Sequence, residues 1–222
     1  MLYLDIFDKK EHNFLNKIAG FKHGRVPKVL REQQILDIAE QQFIELGYEI
    51  TTVESVRLAA GVSRPMIYEY YGSKDRLFLA CVKRVREEYE ARLSKIWESN
   101  DAPLDLIERA AYLYFSIIKE NPKRWLVLFN STSAGMLGDL GQELRALSKK
   151  TINLMINLIE SNFDNSDHER IEAFSHAIFA VGEHLGQWWV NNPEIPMERV
   201  ISHHVAFITQ GLSGLGEFKE FS

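Results

Sequence analysis

The sequence has little cysteine, no long apolar run and no large excess of either charge. Cys81 is the single cysteine among 222 residues, which excludes an internal disulfide and disfavours the common structural zinc sites. The longest near-continuous apolar stretch, 110–118, has about half the length that a membrane span needs. With 45% hydrophobic and 26% charged residues, the composition is typical of a globular chain with one large domain or two small ones.

The ends of the chain differ in charge. Met1 to Asp5 place an acid where a secretory signal carries base, so we expect a cytoplasmic protein without a membrane partner. Residues 12–31 hold five bases and no acid, whereas residues 84–222 hold 14 bases and 20 acids, within a net charge of −5. A basic leading segment suits phosphate contact, and a solvated charged tail explains the same pattern nearly as well.

Apolar residues recur at intervals of three and four along the chain, and alternating strand-like runs are scarce. This periodicity predicts an all-α fold of about nine helices. Capping boxes are expected at 51–54 and 166–169. The expected helices run over 28–46, 51–60, 64–71, 74–97, 103–119, 122–130, 139–162, 169–190 and 196–215.

The second and third expected helices are short and are joined by a tight turn at Gly61, which predicts a helix-turn-helix. Helical spacing in the third helix puts Ile67 and Tyr71 on one face and Arg64 and Tyr68 on the opposite face. An outward face of arginine and tyrosine suits DNA. The arginine fork can bind a guanine edge in the major groove, and tyrosine hydroxyls can donate to phosphates.

The same segment resembles the N-terminal signature of the tetracycline-repressor (TetR) family of transcription regulators. The motifs that match are Thr51-Thr52-Val53, Ala59-Ala60-Gly61-Val62-Ser63, Ile67-Tyr68, Tyr70-Tyr71 and Ser73-Lys74-Asp75. The resemblance implies a homodimer whose subunits each have a three-helix DNA-binding head and a larger helical body that binds a small molecule and dimerises. In such proteins, ligand binding typically releases the DNA.

The resemblance also implies a domain organisation and a set of contacts. It implies an N-terminal extension over 1–27, a DNA-binding domain over 28–76 and a ligand-binding and dimerisation domain over 77–222. The family's base-contacting positions fall on Arg64, Pro65, Met66 and Tyr68, and its phosphate-contacting positions fall on Thr51, Tyr70 and Lys74. Arg57 replaces the family's usual alanine, and it either reaches a phosphate or packs along a crowded helix pair.

The body is rich in aromatic and sulfur-containing side chains, most of which are expected in the core. By analogy with the family, the ligand pocket lies among the fourth to eighth helices. The residues expected to line it are Phe115, Trp125, Phe129, Met136, Phe174 and Ile178. Such walls favour a hydrophobic effector, and acyl chains, sterols and aromatic drugs all fit that description.

The histidines and glycines of the last two helices need separate interpretations. His176, His184 and the pair His203-His204 fit interface or core positions better than a metal site, and no cofactor is expected. Small residues allow helices to approach closely. They therefore favour a dimer interface made of two helices from each subunit, at Gly182, Gly186, Gly211 and Gly214.

Together these features predict a ligand-responsive repressor that binds a palindromic DNA operator as a homodimer and is released by a hydrophobic small molecule. A non-specific architectural DNA-binding protein is one alternative, which the acidic body disfavours. A helical enzyme is another. The sequence has no Gly-x-Ser-x-Gly elbow, no phosphate-binding Gly-x-x-x-x-Gly-Lys and no His-Glu-x-x-His motif, so we do not expect an enzyme.

Overall fold

The computed structural model describes residues 27–99, 101–129, 138–162 and 167–212. Within those ranges the secondary structure is helical, without a strand, which confirms the predicted all-α fold. The helices are α1 (Lys28–Ile50), α2 (Val53–Ala60), α3 (Arg64–Tyr71), α4 (Lys74–Trp97), α5 (Pro103–Glu120), α6 (Pro122–Arg124), α7 (Gly138–Glu160), α8 (His168–Val190) and α9 (Met197–Leu212). A π-helical turn, Trp125–Phe129, follows α6 directly.

The chain divides into two units between Cys81 and Val82, so the boundary falls within α4. The first unit contains α1, α2, α3 and the start of α4, and the second contains the remaining helices. Every helix in the described ranges is too short or too polar to cross a bilayer.

The first unit is built around a small apolar core. Phe43 of α1, Val56 of α2 and Ile67 of α3 are all fully buried. Phe78 of α4 packs edge to face on Phe43, with ring centroids 4.9 Å apart. Four helices thus share one core, although α2 and α3 are each only eight residues long.

The boundary between α1 and α2 differs in detail from the sequence prediction. Gly47 interrupts α1 with a left-handed φ of 81°, close to the predicted end at Leu46. The predicted capping box at 51–54 is wrong, because Thr52 is the N-cap of α2 and Ser55 completes the box. Ser55 therefore takes the role that the spacing assigned to Glu54. A serine three residues after the cap can return the hydrogen bond that a glutamate would make.

The expected capping box at 166–169 also needs correction. Asp167 caps α8, and its carboxylate accepts a hydrogen bond from the Glu169 amide at 3.0 Å. Ser166, which the spacing favoured, lies outside the described residues.

Glycines of α8 and α9 pack within the subunit, contrary to the predicted interface role. A Cβ atom on Gly186 would lie 2.7 Å from Ile118 Cδ1 and 2.9 Å from Trp125 Cζ2. Gly211 faces Phe174 in a similar way, and Gly214 lies outside the described residues. The small residues therefore allow close packing inside one chain, because large side chains of α5, α8 and the π-helical turn fill the space beside them.

Candidate DNA-binding surface and ligand cavity

The helix-turn-helix is fixed by a capping box at the start of α2 and by a glycine turn at its end. The Thr52 hydroxyl accepts a bond from the Ser55 amide at 3.0 Å, and the Ser55 hydroxyl oxygen lies 3.2 Å from the Thr52 amide that donates to it. At the other end, Gly61 adopts the left-handed conformation, with φ of 60°. A residue with a side chain is strained there, so glycine is the residue that this turn requires.

Arg57 reinforces the same turn. Its guanidinium donates to the Glu54 carboxylate, at 2.8 Å for the shortest contact, and to the Val62 carbonyl at 3.0 Å. The hydrogen bond from Arg57 holds the pKa of Glu54 below its usual range. The sequence left open whether Arg57 reaches a phosphate or packs along the helix pair. In the structure its guanidinium is bonded to groups of the protein itself.

The outward face of α3 carries five of the predicted DNA contacts. Arg64, Pro65 and Tyr68 are exposed, and Met66 and Tyr70 are partly exposed. The opposite face buries Ile67 and Tyr71, as helical spacing predicts. α3 therefore presents arginine, tyrosine and small apolar groups together on one surface.

The aromatic rings on this surface lie beside cationic groups. The Arg64 guanidinium carbon lies 5.7 Å from the Tyr68 ring centroid. The Lys28 ammonium of α1 lies 5.4 Å from the Tyr70 ring. These contacts keep the basic side chains of Arg64 and Lys28 beside the outward face of α3. Both side chains remain exposed, so they can reach a phosphate or the edge of a DNA base.

The two remaining predicted contacts lie elsewhere. Thr51 is fully buried, and its hydroxyl lies 2.8 Å from the Gly47 carbonyl and 3.1 Å from the Gln42 carbonyl. Its side chain is therefore occupied within the protein and does not face solvent. Lys74 is half-buried, and its ammonium donates to the Tyr48 and Glu49 carbonyls at 2.9 and 3.2 Å.

The second unit contains a cavity of about 90 Å³. One buried water needs roughly 10–15 Å³ of such space, so the cavity has room for several groups of the size of a water molecule. Five helices contribute to the walls: α4, α5, α7, α8 and α9. Apolar side chains form most of the lining, and these include Leu93, Trp97, Ile107, Phe129, Met155, Leu158, Ile159, Ile178, Phe179 and Ile208.

Polar side chains interrupt the apolar lining at five positions: Tyr89, Tyr114, Thr151, Glu183 and His204. His204 is only 6% exposed, and burial lowers its pKa to about 4. Burial likewise raises the pKa of the Tyr114 phenol. Because burial disfavours the charged form of each group, both side chains are neutral at pH 7.

A buried polar network lies next to the cavity. The Arg86 guanidinium donates to the Phe129 carbonyl at 2.8 Å and packs 4.9 Å from the Phe129 ring centroid. The Thr151 hydroxyl donates to Glu90 at 2.8 Å, and Lys150 pairs with the same carboxylate at 2.9 Å. These contacts fasten the π-helical turn and α7 to α4. Residue spacing along the sequence does not reveal this network, because its members come from distant parts of the chain.

The predicted pocket residues are divided between wall and core. Phe129 and Ile178 line the cavity. Phe115 and Trp125 are fully buried and pack edge to face on the lining residue Tyr114, at centroid distances of 5.3 and 6.3 Å. Phe174 is half-buried against Gly211, and Met136 lies outside the described residues.

The lining residues that sequence reasoning missed include Tyr89, Leu93 and Trp97 of α4. Leu93 belongs to a series of apolar residues that recur every four positions along α4. This spacing predicts a buried face, but it does not show that a cavity adjoins that face. His176, His184 and His203 are exposed. Within the described residues, no group of three or more histidine, cysteine or acidic side chains is placed to hold a metal ion.

Comparison with known proteins finds similarity to bacterial regulators. Residues 35–81 match the family model described as "Bacterial regulatory proteins, tetR family". The chain is similar to the transcriptional activator FasR of Mycolicibacterium smegmatis, with 21% identity over 88% of this chain and 89% of that protein.

Two solved structures support the same fold. One is a TetR-like regulator from Rhodococcus sp. RHA1, with 28% identity and a TM-score of 0.64 over 86% of this chain and all of that one. The other is the regulator FadR from Bacillus subtilis in complex with stearoyl-CoA, with 18% identity and a TM-score of 0.68 over 81% of this chain and 98% of that one. With the geometry of its helix-turn-helix, the match of residues 35–81 to the family model and the TetR-like fold support a TetR-family transcriptional regulator.

Proposed function

We propose that this regulator represses transcription by binding a palindromic operator as a homodimer and that a hydrophobic small molecule releases it. The observation that carries the proposal is the outward face of α3, where Arg64 and Tyr68 are exposed beside a rigidly capped turn. An exposed arginine and aromatic surface on the second helix of a helix-turn-helix is suited to a major groove.

The contacts with DNA are divided between bases and phosphates. Arg64 donates its two-pronged guanidinium to guanine O6 and N7, and Pro65 and Met66 contact a thymine methyl group. The hydroxyls of Tyr68 and Tyr70 donate to phosphates. Thr51 is left out of this set, because its hydroxyl is buried and bonded within the first unit.

Lys74 has a second role besides phosphate binding. Its ammonium already donates to two carbonyls at the end of α1, and an ammonium has three hydrogens. The remaining donor and the positive charge are available to a phosphate near the start of α4. One lysine thus both fixes the end of α1 and adds to the attraction for DNA.

Dimerisation is assigned to the exposed sides of α8 and α9. Along α8, the exposed residues Ala177, Ala180 and Trp188 follow helical spacing on one face. On α9, Ala206 and Phe207 are exposed next to each other, and Phe207 is 55% exposed. A second copy of the chain is the occupant that fits this surface, because two such faces are self-complementary about a two-fold axis.

The effector is assigned to the cavity of the second unit. Its apolar lining favours a hydrophobic molecule, and the neighbouring structure of FadR with stearoyl-CoA supports an acyl compound as one candidate class. Tyr89, Leu93 and Trp97 of α4 line the cavity, and the same helix begins in the DNA-binding unit. A ligand that contacts α4 can thereby change the population of the DNA-binding state.

The test is selection of DNA fragments from the source genome by the purified protein at near-physiological salt, followed by sequencing. Recovery of a few sites that share an inverted repeat is the expected result, since each subunit of a two-fold dimer binds one half-site. Random recovery both before and after refolding without ligand would contradict the proposal. Refolding removes any copurified effector that holds the protein in its released state.

A further inference from the structure

The cavity of the second unit contains two buried polar side chains whose hydrogen-bonding atoms have no partner. Neither ring nitrogen of His204 has a hydrogen-bond partner among the described residues, although the residue is 94% buried, being 6% exposed. The buried Tyr114 hydroxyl likewise has no hydrogen-bond partner among the described residues. The Trp125 indole N–H lies near this hydroxyl and weakly opposes the rise in its pKa, but the two atoms do not meet hydrogen-bond geometry.

The two side chains lie against the same glycine. Tyr114 comes from α5 and His204 from α9, and both border Gly182 of α8. A Cβ atom on Gly182 would lie 3.5 Å from Tyr114 Cε1 and 3.9 Å from His204 Nε2. The absence of a side chain at Gly182 therefore leaves space in which one small group can approach both residues.

Buried polar groups in proteins almost always have hydrogen-bond partners, so two unpaired groups facing one cavity call for an explanation. Neighbouring rings restrict how they can be paired within the chain. Phe115 packs edge to face on His204 at 5.2 Å, and Tyr89 packs on Tyr114 at 6.0 Å. These contacts are apolar, and they hold the two polar side chains in place without bonding their polar atoms.

We propose that Tyr114 and His204 together bind one uncharged hydrogen-bonding group of the effector, a hydroxyl or a carbonyl, while the rest of the ligand lies against the apolar lining. This inference rests on the proposed function, and it specifies the chemistry of the effector. A neutral histidine and a phenol each offer a donor and an acceptor. The described lining residues include no lysine or arginine, so a carboxylate would lose its hydration without a cation in contact.

The test compares 1-hexanol with hexane, which differ by one hydroxyl group. Binding is measured at pH 7 from the rise in thermal unfolding midpoint with ligand concentration. The quantity compared is the ratio of the hexanol affinity to the hexane affinity, because the contribution of the six-carbon alkyl group, which both ligands share, cancels in it. We expect Tyr114→Phe and His204→Leu each to reduce this ratio by about three- to tenfold, the loss typical of one hydrogen bond.

Matched controls separate hydrogen bonding from general damage. Tyr112→Phe and His203→Leu make the same chemical changes at exposed positions on α5 and α9, and they should leave the ratio unchanged. Gly182→Ala places a methyl group beside the polar pair at ordinary contact distance, so it should fold normally. It should also weaken the binding of both compounds, since both occupy the same space.

The outcomes distinguish this inference from the proposed function. If Gly182→Ala weakens both compounds but the ratio is unchanged in Tyr114→Phe and His204→Leu, the polar pair does not bind the hydroxyl group and the inference is overturned. Sodium hexanoate that binds more tightly than hexanol would also overturn it. If neither hexanol nor hexane binds the wild-type protein, the cavity is not a site for hydrophobic ligands, and the effector part of the proposed function fails as well.

Discussion

The two units of the chain differ in the polar side chains on which their proposed functions depend. In the first unit, polar groups near the turns bind one another or the backbone, as Thr52 does with Ser55 and Arg57 with Glu54. In the second unit, Tyr114 and His204 are buried beside a cavity without hydrogen-bond partners in the described residues. The proposed DNA-binding surface is thus already complete in the free chain, whereas under the proposed function the cavity gains hydrogen bonds when a ligand enters. The proposed function of one unit follows from exposed side chains, and that of the other from buried polar side chains without hydrogen-bond partners among the described residues.

The largest effect is expected from the buried histidine. Burial lowers the pKa of His204 from 6.5 to about 4, so between these values the unfolded chain binds more protons than the folded one. The free energy of unfolding should therefore fall as pH falls from 6.5 towards 4, by on the order of 3 kcal/mol from this group. His204→Gln should flatten that dependence in urea unfolding measured at several pH values.

The exposed neighbour His203 supplies the control for this prediction. His203→Gln should leave the pH dependence of unfolding as it is in the wild type, because the residue is exposed. The same slope in His204→Gln and in the wild type would show that burial does not control the protonation of His204.

The next effect concerns Arg64 in the first unit. Arg64→Ala should cost ~1 to 3 kcal/mol of operator affinity and relax specificity at one position of each half-site. Its thermal unfolding should change little, since the side chain is exposed. Affinities for a set of single-base operator variants at fixed salt measure both quantities.

Arg57→Ala is the matched comparison for Arg64. Arg57 bonds Glu54 and the Val62 carbonyl, so its loss should destabilise the first unit and leave the base preference intact. Equal loss of affinity by Arg64→Ala on every sequence would instead make Arg64 a phosphate contact.

Thr52→Ala should produce a smaller effect on stability. The hydroxyl of Thr52 caps α2, and loss of such a cap costs about 1 kcal/mol. Urea unfolding checks the value, and Thr52→Ser, which keeps the hydroxyl, should lie close to the wild type. An alanine variant as stable as the wild type would show that the box adds nothing to the stability of the turn.

The smallest effect is expected from Lys74. Lys74→Ala should weaken binding to all DNA sequences alike and reduce by about one the slope of log affinity against log salt concentration. Lys83→Ala removes an exposed lysine from the second unit and should leave that slope unchanged. If Lys74→Ala lowers only the unfolding midpoint, the lysine supports the end of α1 and does not contact phosphate.

The sequence predicted the first unit well because its determinants are local. Helical spacing over 64–71 was sufficient to place Ile67 inside and Tyr68 outside, and Gly61 marked the turn. The capping boxes were less predictable. Thr51 and Thr52 are adjacent hydroxyl residues, and only the backbone geometry shows that Thr52 caps α2 while Thr51 is buried.

The cavity could not be predicted in the same way, because its walls come from five helices that are distant in sequence. Periodicity identifies a buried face on each helix, but it does not show whether the facing side chains fill the space between them. Gly186 and Gly182 illustrate the limit. Both are small residues on α8, yet Gly186 is tightly packed against Ile118 while Gly182 borders the cavity.

Under the proposed function, the outward face of α3 reads a DNA sequence. The most direct measurement is the ratio of affinity for the selected inverted repeat to affinity for random DNA of the same length, at one near-physiological salt concentration. We expect a ratio of ~10³ or more for the wild type and a clearly lower ratio for Arg64→Ala. A wild-type ratio near one would contradict the proposed function and would support a non-specific DNA-binding protein.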